Sequence, residues 1–193
     1  MALYYDIDDI MMGEELISVV FQVGANGIGL LDPGSETNRI EKGAKVDLPF
    51  WLAHELYLRQ AVGVQLPAAY NQKTRKEIQA DAACVDLKSR CPYFYELGCM
   101  IAPLVRDRTI GSFLLYTFVS RYKEILSKAH RAALAAVPKF FPLLTREESH
   151  LFEAAHSSMA AFKKWRLGGS RLERASVLGR KRKSIGEMQT PTL

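Results

Sequence analysis

The sequence predicts an α+β protein, mainly α: a small N-terminal β-rich domain followed by a larger α-helical bundle domain. Three observations carry that expectation. Apolar residues alternate at period two around residue 20, helix signals take over from residue 49, and the charge changes sign between the two stretches. Residues 1–48 hold nine acidic residues against three basic ones, a net charge of −6, and the remaining 145 residues carry +11. Such asymmetry points to two modules with different partners.

In the first module, residues 1–48, Ile17, Val19, Phe21 and Val23 fall on one face of a strand, and Val, Ile and Phe suit a pleated surface. Asn26-Gly27 supplies the backbone freedom of a tight hairpin turn, with Ile28-Gly29-Leu30-Leu31 as the return strand. Asp32-Pro33-Gly34-Ser35 is loop chemistry, and Ala44-Lys45-Val46-Asp47 reads as one more short strand. A unit of under about 50 residues buries too little apolar surface to stand alone, so this module must lean on the next.

The helical module spans residues 49–167. Pro49, Pro67 and Pro92 each suit a first helical position, where the missing N–H costs nothing. The first of these helices holds Leu52, Ala53 and Leu56, the second Tyr70 and Ile78, the third Phe94, Leu97, Met100 and Ile101. The longest helix is expected from about Arg108 to about Val137, ended by Pro138. Along it Leu114, Leu115, Phe118, Val119, Tyr122, Ile125, Leu126 and Ala129 fill one arc. That arc spans about 140°, wider than the roughly 100° stripe of a helix with one wet face, so a partner is expected to cover part of it. Leu114, Phe118, Tyr122 and Ile125, near its centre, are expected in the chain's own core. Phe113 and Tyr116 fall off the arc among Ser112, Ser120, Lys123 and Glu124, and are expected to be partner anchors.

The last helix opens at a capping box, Thr145 with Glu148, followed by an apolar face of Leu151, Phe152, Ala155, Met159 and Phe162. After Trp165 the periodicity stops and Gly168-Gly169-Ser170 breaks the helix. Residues 168–193 read as a flexible basic tail. Its run Arg180-Lys181-Arg182-Lys183 fits a nuclear localisation signal, a phosphate-backbone contact or a solvated tail. No aromatic residue interleaves those bases, which argues against a base-stacking platform. Thr190-Pro191 is a minimal proline-directed phosphorylation dipeptide.

Several chemistries find no support. No apolar run reaches the roughly 18 residues a membrane helix needs, and the opening Asp6, Asp8 and Asp9 do not suit a signal peptide. Cys84, Cys91 and Cys99 match no zinc spacing and read as reduced thiols. The glycines of Gly24–Gly29 lack the following helix that a phosphate loop requires. Glu147-x-x-His150 and Glu153-x-x-His156 have di-metal spacing, but both pairs lie on one helix about 240° apart and cannot share an ion. Neither a nucleophile elbow nor a P-loop lysine is present. No catalytic residue, metal, cofactor or small-molecule substrate is therefore expected.

At the module junction, Val46-Asp47-Leu48-Pro49-Phe50-Trp51-Leu52-Ala53 resembles the PSF three subunits of the eukaryotic GINS complex. The resemblance extends through Tyr5–Met11, Leu66-Pro67-x-x-Tyr70, Tyr93–Gly98, Thr117–Leu126, Leu144-Thr145-x-x-Glu148 and the basic tail. It implies a β-rich domain followed by a helical one, no catalytic residues, and a nuclear protein that forms a heterotetramer with three other GINS subunits. It further implies a role in the CMG replicative helicase, through the MCM ring and one further accessory protein, with DNA contacted mainly through the complex. Phe50 and Trp51 of the junction join Phe113 and Tyr116 as candidate interface residues. The rival reading is a stand-alone basic nucleic-acid-binding protein, motivated by a pI of about 9.1 and the tail.

Overall fold

The computed structural model describes residues 6–27, 39–132 and 141–167. The acidic opening is ordered. Asp6 accepts a hydrogen bond from the Asp8 N–H at 3.0 Å and caps helix α1, Ile7–Gly13, which delivers Met12 to the core. The alternation predicted for the next segment appears in strand β1, Leu16–Phe21, where Ile17, Val19 and Phe21 are buried. Val23 lies beyond the strand and is exposed.

β1 is the centre of a three-stranded antiparallel sheet. One neighbour is β4, Lys45–Pro49, with Ile17 opposite Leu48 and Val19 opposite Val46. The other is β5, Val62–Val64, with Val19 opposite Val64 and Phe21 opposite Val62. The expected hairpin after Asn26-Gly27 is different in detail. Gly27 does take a positive φ of 83°, but the two-residue strand β2, Ala25–Asn26, pairs with β3, Arg39–Ile40. The return strand expected at residues 28–31 lies outside the described residues, and β1 takes β4 and β5 as its partners.

Helix α2, Phe50–Leu58, covers this sheet. Ala53 is fully buried, and Leu52 and Leu56 pack on a core of Val19, Phe21, Ile40, Val46, Leu48 and Val62. Pro49 closes β4 and caps α2, one residue ahead of the helical position expected for it. The sheet thus gains a helix and a strand from beyond residue 48, which offsets the small core of so short a module.

Pro67 opens only one 3-10 turn, Ala68–Tyr70; Asn71 then caps α3, Gln72–Asp81, by accepting from the Thr74 N–H at 2.8 Å. The buried Tyr70 hydroxyl donates to the Phe94 carbonyl at 2.9 Å, which ties this turn to α4, Phe94–Ile101. Gly98 lets α4 approach the next helix closely: a Cβ there would sit 2.8 Å from Leu114 and 3.0 Å from Tyr70. The three cysteines are free thiols. Burial pushes Cys91 up to about 12, so it stays a protonated core residue, and Cys84 and Cys99 are exposed.

Helix α5, Ile110–Ala132, and helix α6, Arg146–Arg166, lie side by side. Arg121 meets Glu148, and further along His130 and Arg131 stand beside Met159 and Lys163, so the two helices run in the same direction. The capping box is formed as expected: Thr145 accepts from the Glu148 N–H, and Glu148 accepts from the Thr145 N–H.

The phase of α5 corrects the expectation. Its buried residues are Ile110, Phe113, Leu114, Thr117, Arg121, Ile125 and Ala129. Phe113, 7% exposed, packs edge-on against Phe94 at 6.1 Å and lies under the Arg75 guanidinium at 5.1 Å. It is a core residue of this chain, not a surface anchor. Phe118 and Tyr122, expected inside, are 41% and 37% exposed. The buried face is thus rotated by about 90° from the expected arc. The cause is polar: Arg121 goes inward because its partner lies there, and Thr117 can accompany it because its hydroxyl is satisfied within the helix. Thr117 donates to the Phe113 carbonyl at 2.8 Å, and Arg121 meets Glu148.

Candidate protein interface

With the inner face of α5 occupied, a second apolar stripe is left outside. Leu115, Phe118, Val119 and Tyr122 all stand on it, and Leu115 is 64% exposed. They fall between about 80° and 180° on the helical wheel with Ile110 at zero, one continuous face. Tyr116, the remaining off-arc candidate, is also exposed, at about 240° and beside this face rather than in it. Adjacent large apolar side chains on one helix face are the uncommon kind of exposed hydrophobic surface, the kind that marks an interaction site.

The stripe is rigidly backed. Phe118 stacks edge-on against Tyr95 of α4 at 5.6 Å and lies 5.5 Å from Tyr122. The Tyr95 hydroxyl donates to Glu148 Oε1 at 2.7 Å. The same carboxylate takes two bonds from Arg121, Nε to Oε1 at 2.6 Å and Nη2 to Oε2 at 2.8 Å. Arg121 spends its remaining donors on the carbonyls of Ala82, Val85 and Leu143. Burial opposes the Arg121 charge, but the bonds to Glu148 and its charge outweigh that and raise its pKa. Burial, with Glu148 next, drives the Tyr95 phenol well above its ordinary value. One buried network therefore joins α4, α5, α6 and the segment after α3, and fixes the rings that the stripe presents.

Glu147, beside it, accepts from the backbone N–H groups of Tyr95 and Glu96 at 3.0 and 3.2 Å and so caps α4 from outside that helix. Its other oxygen is buried without a protein partner, and burial raises its pKa. His150 lies at the surface, 3.8 Å from Asp8, so the two members of this Glu-x-x-His pair point to different neighbours. Among the described residues no group of His, Cys, Asp and Glu is arranged to hold a metal, and no helix is long and apolar enough to cross a membrane.

One hollow extends the stripe and a second lies next to it. A cavity of about 410 Å³ between α4 and α5 is lined by Tyr95, Cys99, Ala102, Gly111, Leu115 and Phe118. A groove of about 980 Å³ between α1, α2 and α4 shares Tyr95 and Cys99 with it and has Trp51 and Met100 on its walls. Of the two junction candidates, Phe50 is a core residue packed near Met12 and Ile17, and Trp51 is 51% exposed. The structure thus brings Trp51 to the same side of α4 as the α5 stripe and removes Phe50 and Phe113 from the surface. The basic run Arg180–Lys183 and Thr190-Pro191 lie outside the described residues. Leu115, Val119 and Tyr122 were not singled out as surface residues by their sequence pattern. The signal available was the line Phe113-Thr117-Arg121 at i, i+4, a second face whose charge requires a buried acid elsewhere in the chain.

This architecture, a helical bundle carrying an N-terminal helix-and-sheet lobe, corresponds to a known class: residues 69–167 match the family model described as the GINS complex protein helical bundle domain. Residues 5–58 match the PSF3 N-terminal domain. The chain belongs to the PSF3 family of GINS complex proteins. It is 32% identical over 173 residues to the DNA replication complex GINS protein PSF3 of Phaeosphaeria nodorum, covering 86% of this chain and 96% of that one. It is 30% identical to the Xenopus laevis protein of the same name, over 86% of this chain and 80% of the relative. The Homo sapiens protein of that name is 28% identical over 86% of this chain and 81% of its own length.

Proposed function

We propose that this chain is a non-catalytic structural subunit of the GINS heterotetramer. Through that assembly it serves in the nucleus as part of the CMG helicase that initiates and elongates chromosomal DNA replication. The observation that carries the reading is the exposed stripe of Leu115, Phe118, Val119 and Tyr122 on a helix whose opposite face is already buried. A helix covered on one side and apolar on the other has the build of a bundle completed by another chain. The three other GINS subunits are the direct partners; the MCM ring and the further accessory protein are met through the assembly. DNA is contacted mainly in the same indirect way. The basic tail, residues 168–193, is not needed for assembly.

Co-expression with the three other subunits tests this. Equimolar co-purification, retained after truncation at Gly169, is the expected result. A well-behaved isolated chain that ignores those subunits and binds duplex DNA with a steep salt dependence would establish the stand-alone nucleic-acid-binding alternative instead.

A further inference from the structure

The groove between α1, α2 and α4 differs from the α5 stripe in its charge. Its walls are aromatic, with Trp51 half exposed beside Tyr95, and its rim carries Asp6, Asp9, Glu55 and Glu96. Among the described residues that line it, none is a lysine or an arginine. Glu96 has its pKa raised by burial first, and then by Glu147, Asp9, Asp8 and Asp6, so the acids there repel one another. A groove lined by an indole, a phenol ring and four carboxylates suits an arginine or lysine side chain, through ion pairing with the acids and cation–π contact with the rings.

The chain supplies such side chains itself. Residues 168–193 contain Arg171, Arg174 and the run Arg180-Lys181-Arg182-Lys183 against only Glu173 and Glu187. Helix α6 begins at the groove: Arg146 Nε lies 3.1 Å from Asp8, and Glu147 accepts from the Tyr95 and Glu96 N–H groups. It ends at Arg166, about 30 Å away at 1.5 Å per residue. Twelve residues, 168–179, span at most about 40 Å, enough length for the basic run to reach the groove. At the far end of α6, the cleft between the ends of α5 and α6 is lined by the apolar Met159, Phe162 and Leu167, and its charged residues, Arg131, Lys163 and Arg166, have the tail's own sign. Those bases complement the carboxyl ends of two parallel helices and repel the basic run.

We propose that the groove walled by Trp51 and Tyr95 and rimmed by Asp6, Asp9, Glu55 and Glu96 is the intramolecular docking site of Arg180–Lys183. Tethering makes the encounter a first-order event, and the docked run is withheld from other phosphate or receptor contacts until it releases. The occupant is this chain's own tail, not a segment of another molecule.

Carbodiimide cross-linking of the full chain, read by mass spectrometry, tests this. Light and heavy isotopic preparations are mixed, and the reaction is run on the chain alone and on any assembly it forms. Amide links from Lys181 or Lys183 to Glu55, Glu96 or Asp9 are expected, within light or within heavy molecules only. Arg180→Ala with Arg182→Ala keeps both reporting lysines and is expected to lower the yield about tenfold; about 0.5 M salt is expected to do the same. Links spread evenly over distant acids such as Glu124 and Glu153 would overturn the proposal. So would light–heavy links, which mean a second copy, and so would links to another subunit's acids. A chain that assembles with no GINS subunit still gives a readable result, which keeps this test apart from the assembly reading.

Discussion

Arg121 of α5 and Glu148 of α6 meet through two hydrogen bonds of 2.6 and 2.8 Å, with side chains only 3% and 1% exposed. The pair determines which face of α5 turns inward, and Tyr95, bonded to the same carboxylate, transmits that choice to the surface rings. Replacing Arg121 by Met leaves a buried carboxylate without its cation and is expected to cost about 3–5 kcal/mol of stability. Arg121→Met with Glu148→Met is expected to cost clearly less than the sum of the single changes. Urea denaturation of the three variants checks this, and additive losses would mean that the two residues act independently.

Phe113 and Phe118, five residues apart, should respond very unequally to truncation. Phe113→Ala empties a packed site beneath Arg75 and beside Phe94, at an expected cost of about 3–5 kcal/mol. Phe118→Ala removes a ring already 41% exposed and is expected to cost about 1 kcal/mol. Thermal unfolding followed by far-UV circular dichroism separates them. A reversed order would restore the helical phase expected from the apolar arc.

Glu147 gives the stability a readable pH dependence. Burial raises its folded-state pKa above the ordinary 4.5, so the folded protein holds this proton more tightly than the unfolded chain does. Stability contributed by the group is therefore full below the unfolded pKa and lost as pH rises through the higher folded pKa. Glu147→Gln mimics the protonated form, so its stability relative to the native sequence should increase from about pH 4.5 upward and then level off. Glu147→Ala, which removes the cap on α4, is expected to cost about 1 kcal/mol instead. Denaturation midpoints across pH 4–8 test this; a difference between Glu147→Gln and the native sequence that is flat or shrinks with pH would contradict the burial of that carboxylate.

What the sequence displayed was whatever depends on near neighbours. The alternation of Ile17, Val19 and Phe21 and the capping box of Thr145 and Glu148 are local patterns, and both appear; α4 also follows Pro92, but Pro92 stands two residues before its first turn and not at the first helical position. The second partner of β1 was not legible, because Val62–Val64 pairs with it from more than forty residues away. Helix α1 was also missed, since its cap, Asp6, stands in an acidic stretch that reads equally well as solvated chain. On α5 the periodicity was real but assigned to the wrong side. Half of the expected apolar arc, Leu115, Phe118, Val119 and Tyr122, faces out, and the buried face is held by a salt bridge to an acid 27 residues further on. Phe50 and Trp51, neighbours in sequence, part for the simpler reason that successive residues of a helix point about 100° apart.

In the proposed assembly Phe118 and Tyr122 form the heart of the surface that another subunit covers. The most direct measurement is the affinity of this chain for the three co-expressed GINS subunits, by titration or quantitative co-purification, for the native sequence and for Phe118→Ala with Tyr122→Ala. A weakening of about 2–4 kcal/mol, with the helical circular dichroism of the isolated variant preserved, is the predicted result. Unchanged affinity in a folded variant would contradict it and move the interface off α5.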